Sequence, residues 1–175
     1  MANAILDNIK TRRSIRSFTS TPVPQSDLDQ IIEAGLFAAS AKGLQNTIII
    51  QVTNKELRDK ISKINCEIGG WENRDPFYNA PAILIVLAKK DYPHGVYDGS
   101  LVLGNMMLAA HSLDLGSIWI HRAKEEFEQE FGKNLLAELG IDGEFEGIGH
   151  LAVGYISGDY PTAAPRKAGR VYKVE

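Results

Sequence analysis

The segment Thr11–Phe18, TRRSIRSF, places Arg12, Arg13 and Arg16 around Ser14. Guanidinium groups carry a planar fork of donors matched to phosphate oxygens, and a serine hydroxyl adds a short further donor, so this spacing suits one dianionic phosphate group. A second basic cluster, Arg166, Lys167, Arg170 and Lys173, stands near the other end. The plain alternative is a solvated helix end, because charge runs usually face water. The segment Ala38–Asn46, AASAKGLQN, is a third candidate: its small residues permit close backbone approach, and Lys42 and the Gln45 amide supply donors just ahead of an apolar run. Neither a P-loop nor a dinucleotide fingerprint occurs, since no glycine-rich turn has the required spacing.

Other chemistry-bearing residues read more simply. Cys66 sits beside the Ile64 and Ile68 stripe with no histidine near it in sequence, as a buried or half-buried thiol would. His94, His111, His121 and His150 do not have metal-ligand spacing, so no metal site is expected. Trp71, Phe77 and Tyr78 cluster with Gly69, Gly70 and Pro76 ahead of an apolar strand, either anchoring a loop or walling a pocket. Tyr92, His94 and Tyr97 leave the same choice open.

With 19 Lys plus Arg against 22 Asp plus Glu, the net charge of −3 supplies no global field for a polyanion. The acidic stretch containing Glu125, Glu126, Glu128 and Glu130 also argues against a nucleic-acid surface. One cysteine excludes an intrachain disulfide and fits a reducing compartment. The first residues lack a signal-peptide pattern and the apolar runs are too short to span a bilayer, so a cytoplasmic protein without membrane contact is expected.

The elements that must position these residues follow from periodicity. Ile5, Leu6 and Ile9 mark a short helix ending where the arginines begin. A second helix opens on a capping-box pattern at Ser26 and Asp29 and carries Leu28, Ile31, Ile32, Gly35, Leu36 and Ala39. The β-branched run 47–52 predicts a strand, and the Leu57, Ile61, Ile64 and Ile68 stripe a helix closed by Gly69 and Gly70. Residues 80–88 read as a strand buried on both faces, and 98–115 as a helix apolar nearly all round. SIWI at 117–120 and the run from Ile148 supply further strands. Between them a charged helix over 124–139 places Phe127, Phe131, Leu135 and Leu136 on one stripe. The tail ends in the strand-like RVYKV and is too short to fold alone. The apolar fraction of 44% supports a substantial core, and without repeats or linkers residues 1–175 read as a single α+β domain.

In order and spacing, TRRSIRSF, AASAKGLQN, DPFYNAPAILIVLA, DGSLVLGNMMLAAHSLDLGSIWIHRAKE, GIGHLAVGY and APRKAGR resemble the nitroreductase family of FMN-dependent flavoproteins in its shorter form. The resemblance implies a mixed sheet packed by helices, a long buried central helix, and a homodimer with FMN at the subunit interface and a C-terminal segment reaching across it. It implies cofactor contacts at Arg12, Arg13, Ser14 and Arg16 for the phosphate and ribityl chain, closed by Arg166 and Lys167. Ser40, Ala41, Lys42 and Gln45 map onto the element that reaches the flavin ring bound mainly by the partner. Here Ala39 replaces the family's proline, Gly43 its asparagine, and Asn46–Thr47 its Pro–Trp. Trp119, Ile120 and His121 map onto the segment whose backbone N–H groups approach the flavin N5 and O4 edge. No dedicated catalytic side chain is expected, because the ring itself accepts and passes on hydride. The implied activity is ping-pong hydride transfer from NADH or NADPH to a nitroaromatic, quinone or similar acceptor. Dehalogenation, ring desaturation or flavin destruction on the same fold, or non-enzymatic flavin binding, stand as alternatives.

Overall fold

The computed structural model describes residues 3–175. The apolar runs form a four-stranded sheet of order β1-β2-β4-β3, with β1 Thr47–Val52, β2 Ala82–Lys89, β3 Gly116–Ile120 and β4 Phe145–Gly154. All three pairings are antiparallel. The one parallel pairing among the described residues is an isolated bridge between Ser14 and Ser117.

β2 is apolar throughout because both of its faces are covered. Ile83, Ile85 and Leu87 belong to one core cluster, and Ala82, Leu84 and Val86 to the other. The first cluster receives Ile61 of α3 (Lys55–Gly69), Phe127 of α5 (Ala123–Glu128), and Leu135 and Leu136 of α6 (Glu130–Glu138). The second receives Leu28 and Ile31 of α2 (Gln25–Leu36) and Val102, Leu103, Met106 and Ala110 of α4 (Gly95–Ser112). The long apolar helix thus lies against the sheet, yet Val96, Tyr97 and Leu101 leave one flank exposed.

Local chemistry explains most boundaries. The Asn54 side chain accepts from the Leu57 N–H to open α3, and Gly70, at φ 64°, closes it in the left-handed conformation that glycine adopts without strain. The first helix, α1 (Ala4–Thr11), opens on the Asn3 side chain and buries no residue, so Ile5, Leu6 and Ile9 all face outward. Three expectations fail. α2 begins one residue before Ser26, with Pro24 at its cap and no side-chain capping bond, because the fixed proline φ already suits a helix start. The charged helix is two helices, broken at an extended Gln129 where Gly132 packs so tightly on Phe127 that a Cβ would stand 2.4 Å from its Cα. RVYKV forms no strand, and Val171, Tyr172 and Val174 are exposed.

Candidate functional site

Three segments converge where α1 ends. Arg13 turns its Nη1 back onto the carbonyls of Lys10 and Arg12, both at 2.7 Å, covering acceptors the helix end leaves open. The chain then runs along β3: Ile15 donates its N–H to the Ser117 carbonyl at 3.1 Å, and Phe18 bridges Ile156. Ile15 points into the core, so its neighbours Ser14 and Arg16 point out. The tail is pinned by Tyr160, whose hydroxyl accepts from the Arg13 N–H at 3.0 Å, donates to the Thr11 carbonyl at 3.0 Å, and whose ring stacks on His111. Arg12, Arg13, Ser14, Arg16, Thr162 and Arg166, with Pro161, thereby enclose a cavity of about 290 Å³.

The electrostatics of this cavity are one-sided. Among the described residues, Arg58 is the only arginine with a carboxylate partner. Arg12 Nη1 and Arg13 Nε are buried with no acceptor among the described residues, as is the Ser117 hydroxyl beside them. Burial pushes the His111 ring below its usual pKa, assisted by the positive charges of Arg12 and Arg13 and opposed by Asp114. Lys167 does not line the cavity, and Arg170 and Lys173 stay exposed.

Along β3, Ser117, Trp119 and His121 share one face while Ile118 and Ile120 enter the core. The Trp119 indole lies on β4 over Gly149, where a Cβ would come within 2.4 Å of its Nε1, and that N–H is buried without a partner. The strand ends at an exposed His121 and at Arg122, which takes a left-handed φ of 80° before α5. Among the described residues neither the His121 nor the Arg122 N–H finds a backbone acceptor. Beside them opens a cavity of about 750 Å³, lined by Trp71, Ser100, Trp119, His121, Arg122 and Lys124 among others. The guanidiniums of Arg74 and Arg122 lie over the Trp71 ring, 4.5 and 4.2 Å from its centroid. Trp71 therefore walls a cavity, whereas Phe77 is a core anchor.

The Ala38–Asn46 segment lies elsewhere, at the exit of α2, and shares no lining residue with either cavity. Its shape is well determined. The Ala41 N–H donates to both oxygens of buried Asp98, at 3.1 and 3.2 Å, the Tyr92 hydroxyl donates to the Ala41 carbonyl at 2.9 Å, and the Gln45 N–H donates to Ser40 Oγ at 3.1 Å. Lys42 and Gln45, at φ 57° and 50°, project their side chains outward.

Within one chain the structure thus joins Arg12, Arg13, Ser14, Arg16 and Arg166, lines Trp119, Ile120 and His121 along the adjoining strand, and leaves Ser40, Ala41, Lys42, Gln45 and Lys167 apart. Sequence reasoning passed over Ser117, Arg122, Asp98 and Tyr160. The serine inside GSIWI was a polar signal in an apolar strand; the left-handed Arg122 gave none. Cys66 is buried and donates its S–H to the Arg74 carbonyl. No His, Cys, Asp and Glu cluster among the described residues could hold a metal ion, and no helix among them is long and apolar enough to cross a membrane.

The donors thus form a strip, cationic at one end and walled by Trp71 and Trp119 at the other. A family model described as the Nitroreductase family matches residues 9–155. The chain belongs to the nitroreductase family. It is 33% identical over 135 residues to a Bacillus subtilis protein named FMN reductase [NAD(P)H], covering 66% of this chain and 53% of that one. It is 30% identical over 128 residues to the Vibrio harveyi NADPH-flavin oxidoreductase, covering 67% and 53%. The chain spans about half the length of these two curated relatives. The crystal structure of a Bacteroides fragilis nitroreductase with bound FMN superposes with a TM-score of 0.88 at 29% identity, covering 99% of this chain and 100% of that one. The nitroreductase fold is therefore common to the two over nearly their whole lengths.

Proposed function

We propose that this nitroreductase-family chain binds FMN and transfers hydride from NADH or NADPH to a small acceptor such as a nitroaromatic or a quinone. The observation that carries the reading is the set of buried donors without acceptors: Arg12 Nη1, Arg13 Nε, the Ser117 hydroxyl and the Trp119 N–H. An unpaired buried donor costs roughly 1 to 3 kcal/mol, so a row of them along one surface marks where a ligand's acceptors belong. The donor set fits FMN. Arg12, Arg13, Ser14, Arg16 and Arg166 hold the phosphate, Ser117 meets the ribityl chain, and Trp119 with the His121 and Arg122 backbone meets the ring. Ser117 to His121 spans about 13 Å of strand, the scale of such a molecule. The names of the Bacillus and Vibrio relatives and the flavin in the Bacteroides structure support the same reading.

When bound, the flavin supplies the hydride chemistry. The chain's part is to fix it at the phosphate, to offer N–H groups where negative charge develops on the ring, and to present the open cavity to donor and acceptor in turn. A homodimer fits the exposed apolar side chains Leu36, Phe37, Leu44, Val96, Tyr97 and Leu101, which lie within the Ala38–Asn46 loop or on the ends of α2 and α4 beside it. In that dimer Ser40 through Gln45 serve the partner's ring, which accounts for a loop so firmly held yet remote from its own chain's strip.

The test is direct. The purified protein should be yellow or take up FMN, bleach anaerobically with NADH or NADPH, and regain colour on adding a nitroaromatic or quinone, with ping-pong steady-state kinetics. A protein that refuses FMN overturns the reading; one that holds FMN but is bleached by neither nicotinamide is a binding protein and not an oxidoreductase.

A further inference from the structure

Beneath the end of β3 lies a polar cluster that the proposed function does not use. Asn65 of α3, Glu126 of α5 and His150 of β4 are each 0% exposed, although Glu126 belongs to a stretch that reads as an acidic surface. Glu126 Oε1 accepts from Asn65 Nδ2 at 2.7 Å, and Glu126 Oε2 meets His150 Nε2 at 2.8 Å. The outer arms of the cluster reach the backbone. His150 Nδ1 lies 3.3 Å from the Ile120 carbonyl and Asn65 Nδ2 donates to the His121 carbonyl at 2.8 Å. A carbonyl only accepts, so the tautomer with a hydrogen on Nδ1 is the one that donates to Ile120.

The consequence follows from peptide planarity. No peptide bond among the described residues is cis, and in a trans unit the N–H points opposite to the C=O. Drawing the Ile120 and His121 carbonyls inward therefore turns the N–H groups of His121 and Arg122 outward, and these are the two that find no backbone acceptor. Stability alone does not account for the arrangement. Buried ionisable pairs replaced by apolar groups of like volume are often neutral or stabilising, whereas a fixed set of hydrogen bonds specifies a backbone direction.

We propose that Asn65, Glu126 and His150 are positioning residues that aim the His121 and Arg122 N–H groups at the flavin edge and thereby set how readily the bound flavin is reduced. The proposal rests on the flavin reading above. Donors aimed at the ring favour its reduced, more negative form, so slackening the clamp disfavours reduction.

The experiment uses the FMN-loaded protein and compares wild type with Asn65→Leu and Glu126→Gln, both close in volume to the native residue. Asn65→Leu frees the His121 carbonyl and should shift the reduced-to-oxidised flavin equilibrium about tenfold toward oxidised, a potential about 30 mV lower for two electrons. It should lower kcat with little change in the nicotinamide KM, and the slowing of His121 and Arg122 amide exchange on FMN addition should shrink. Glu126→Gln keeps hydrogen bonds to both neighbours and should stay within about threefold of wild type. An Asn65→Leu protein with the wild-type potential and wild-type amide protection, altered only in melting temperature, overturns the clamp. A wild-type protein that binds no FMN overturns the functional reading instead, so the two failures are distinct.

Discussion

Arg12→Ala separates a ligand-binding role from a folding role. The Arg12 side chain makes no hydrogen bond or ion pair among the described residues, and its Nη1 is buried without an acceptor there, so truncation removes an unsatisfied donor and breaks no hydrogen bond. The flavin-free variant should therefore be as stable as wild type, or slightly more so, in urea unfolding. A charge-assisted hydrogen bond is worth about 1.5 to 3 kcal/mol, so FMN affinity should fall about 10- to 150-fold. The control is riboflavin, which has the same ring and ribityl chain without the phosphate. Titration by quenching of flavin fluorescence should show FMN weakened and riboflavin unchanged. Equal losses for both ligands, or no loss for FMN, would refute the placement of the phosphate at the α1 exit.

Three further outcomes follow from the same structure. Because His111 has a pKa below its ordinary 6.5, the unfolded chain binds a proton before the folded one does; stability should fall as pH drops below about 6.5, and His111→Gln should flatten that limb in urea titrations at pH 5 to 8. Asp98→Ala leaves the Ala41 N–H unpaired, which should cost about 1 to 3 kcal/mol and hasten trypsin cleavage at Lys42, read by mass spectrometry. Leu103→Ala, at a side chain with no exposure between α4 and the sheet, should cost about 2 to 5 kcal/mol in chemical denaturation while leaving FMN affinity of the folded protein unchanged.

What the sequence revealed depended on whether the cause was local. The strand 47–52 was legible because a β-branched run between polar residues has few other solutions, and Gly70 because a left-handed helix end calls for glycine. Arg12 through Arg16 were legible as charge and donor geometry, and their meeting with Arg166 followed only from the family resemblance; Tyr160, which brings the tail there, was not legible, because its partners are backbone groups almost 150 positions away. Glu126 was hidden among surface glutamates, since periodicity does not distinguish a carboxylate turned to water from one turned to an imidazole. His150 inside an apolar strand did carry a signal of a buried partner, but not the identity of that partner. The break at Gln129 depended on Gly132 against Phe127, a packing contact rather than a propensity.

The strand order has a consequence for biosynthesis. β4 is the last of these four strands to be made, yet it sits inside the sheet and, among the described residues, is the one strand that pairs with β3. Until it leaves the ribosome, β3 has only the residue 14–15 segment beside it and β2 has one open edge, so the nascent chain carries unsatisfied strand edges up to that point. The Trp119 shelf on Gly149 and the His150 anchor arrive with the same ten residues. Ligand competence and sheet closure should therefore appear together and late, and a chain stalled before residue 145 should need chaperone protection and not gain flavin.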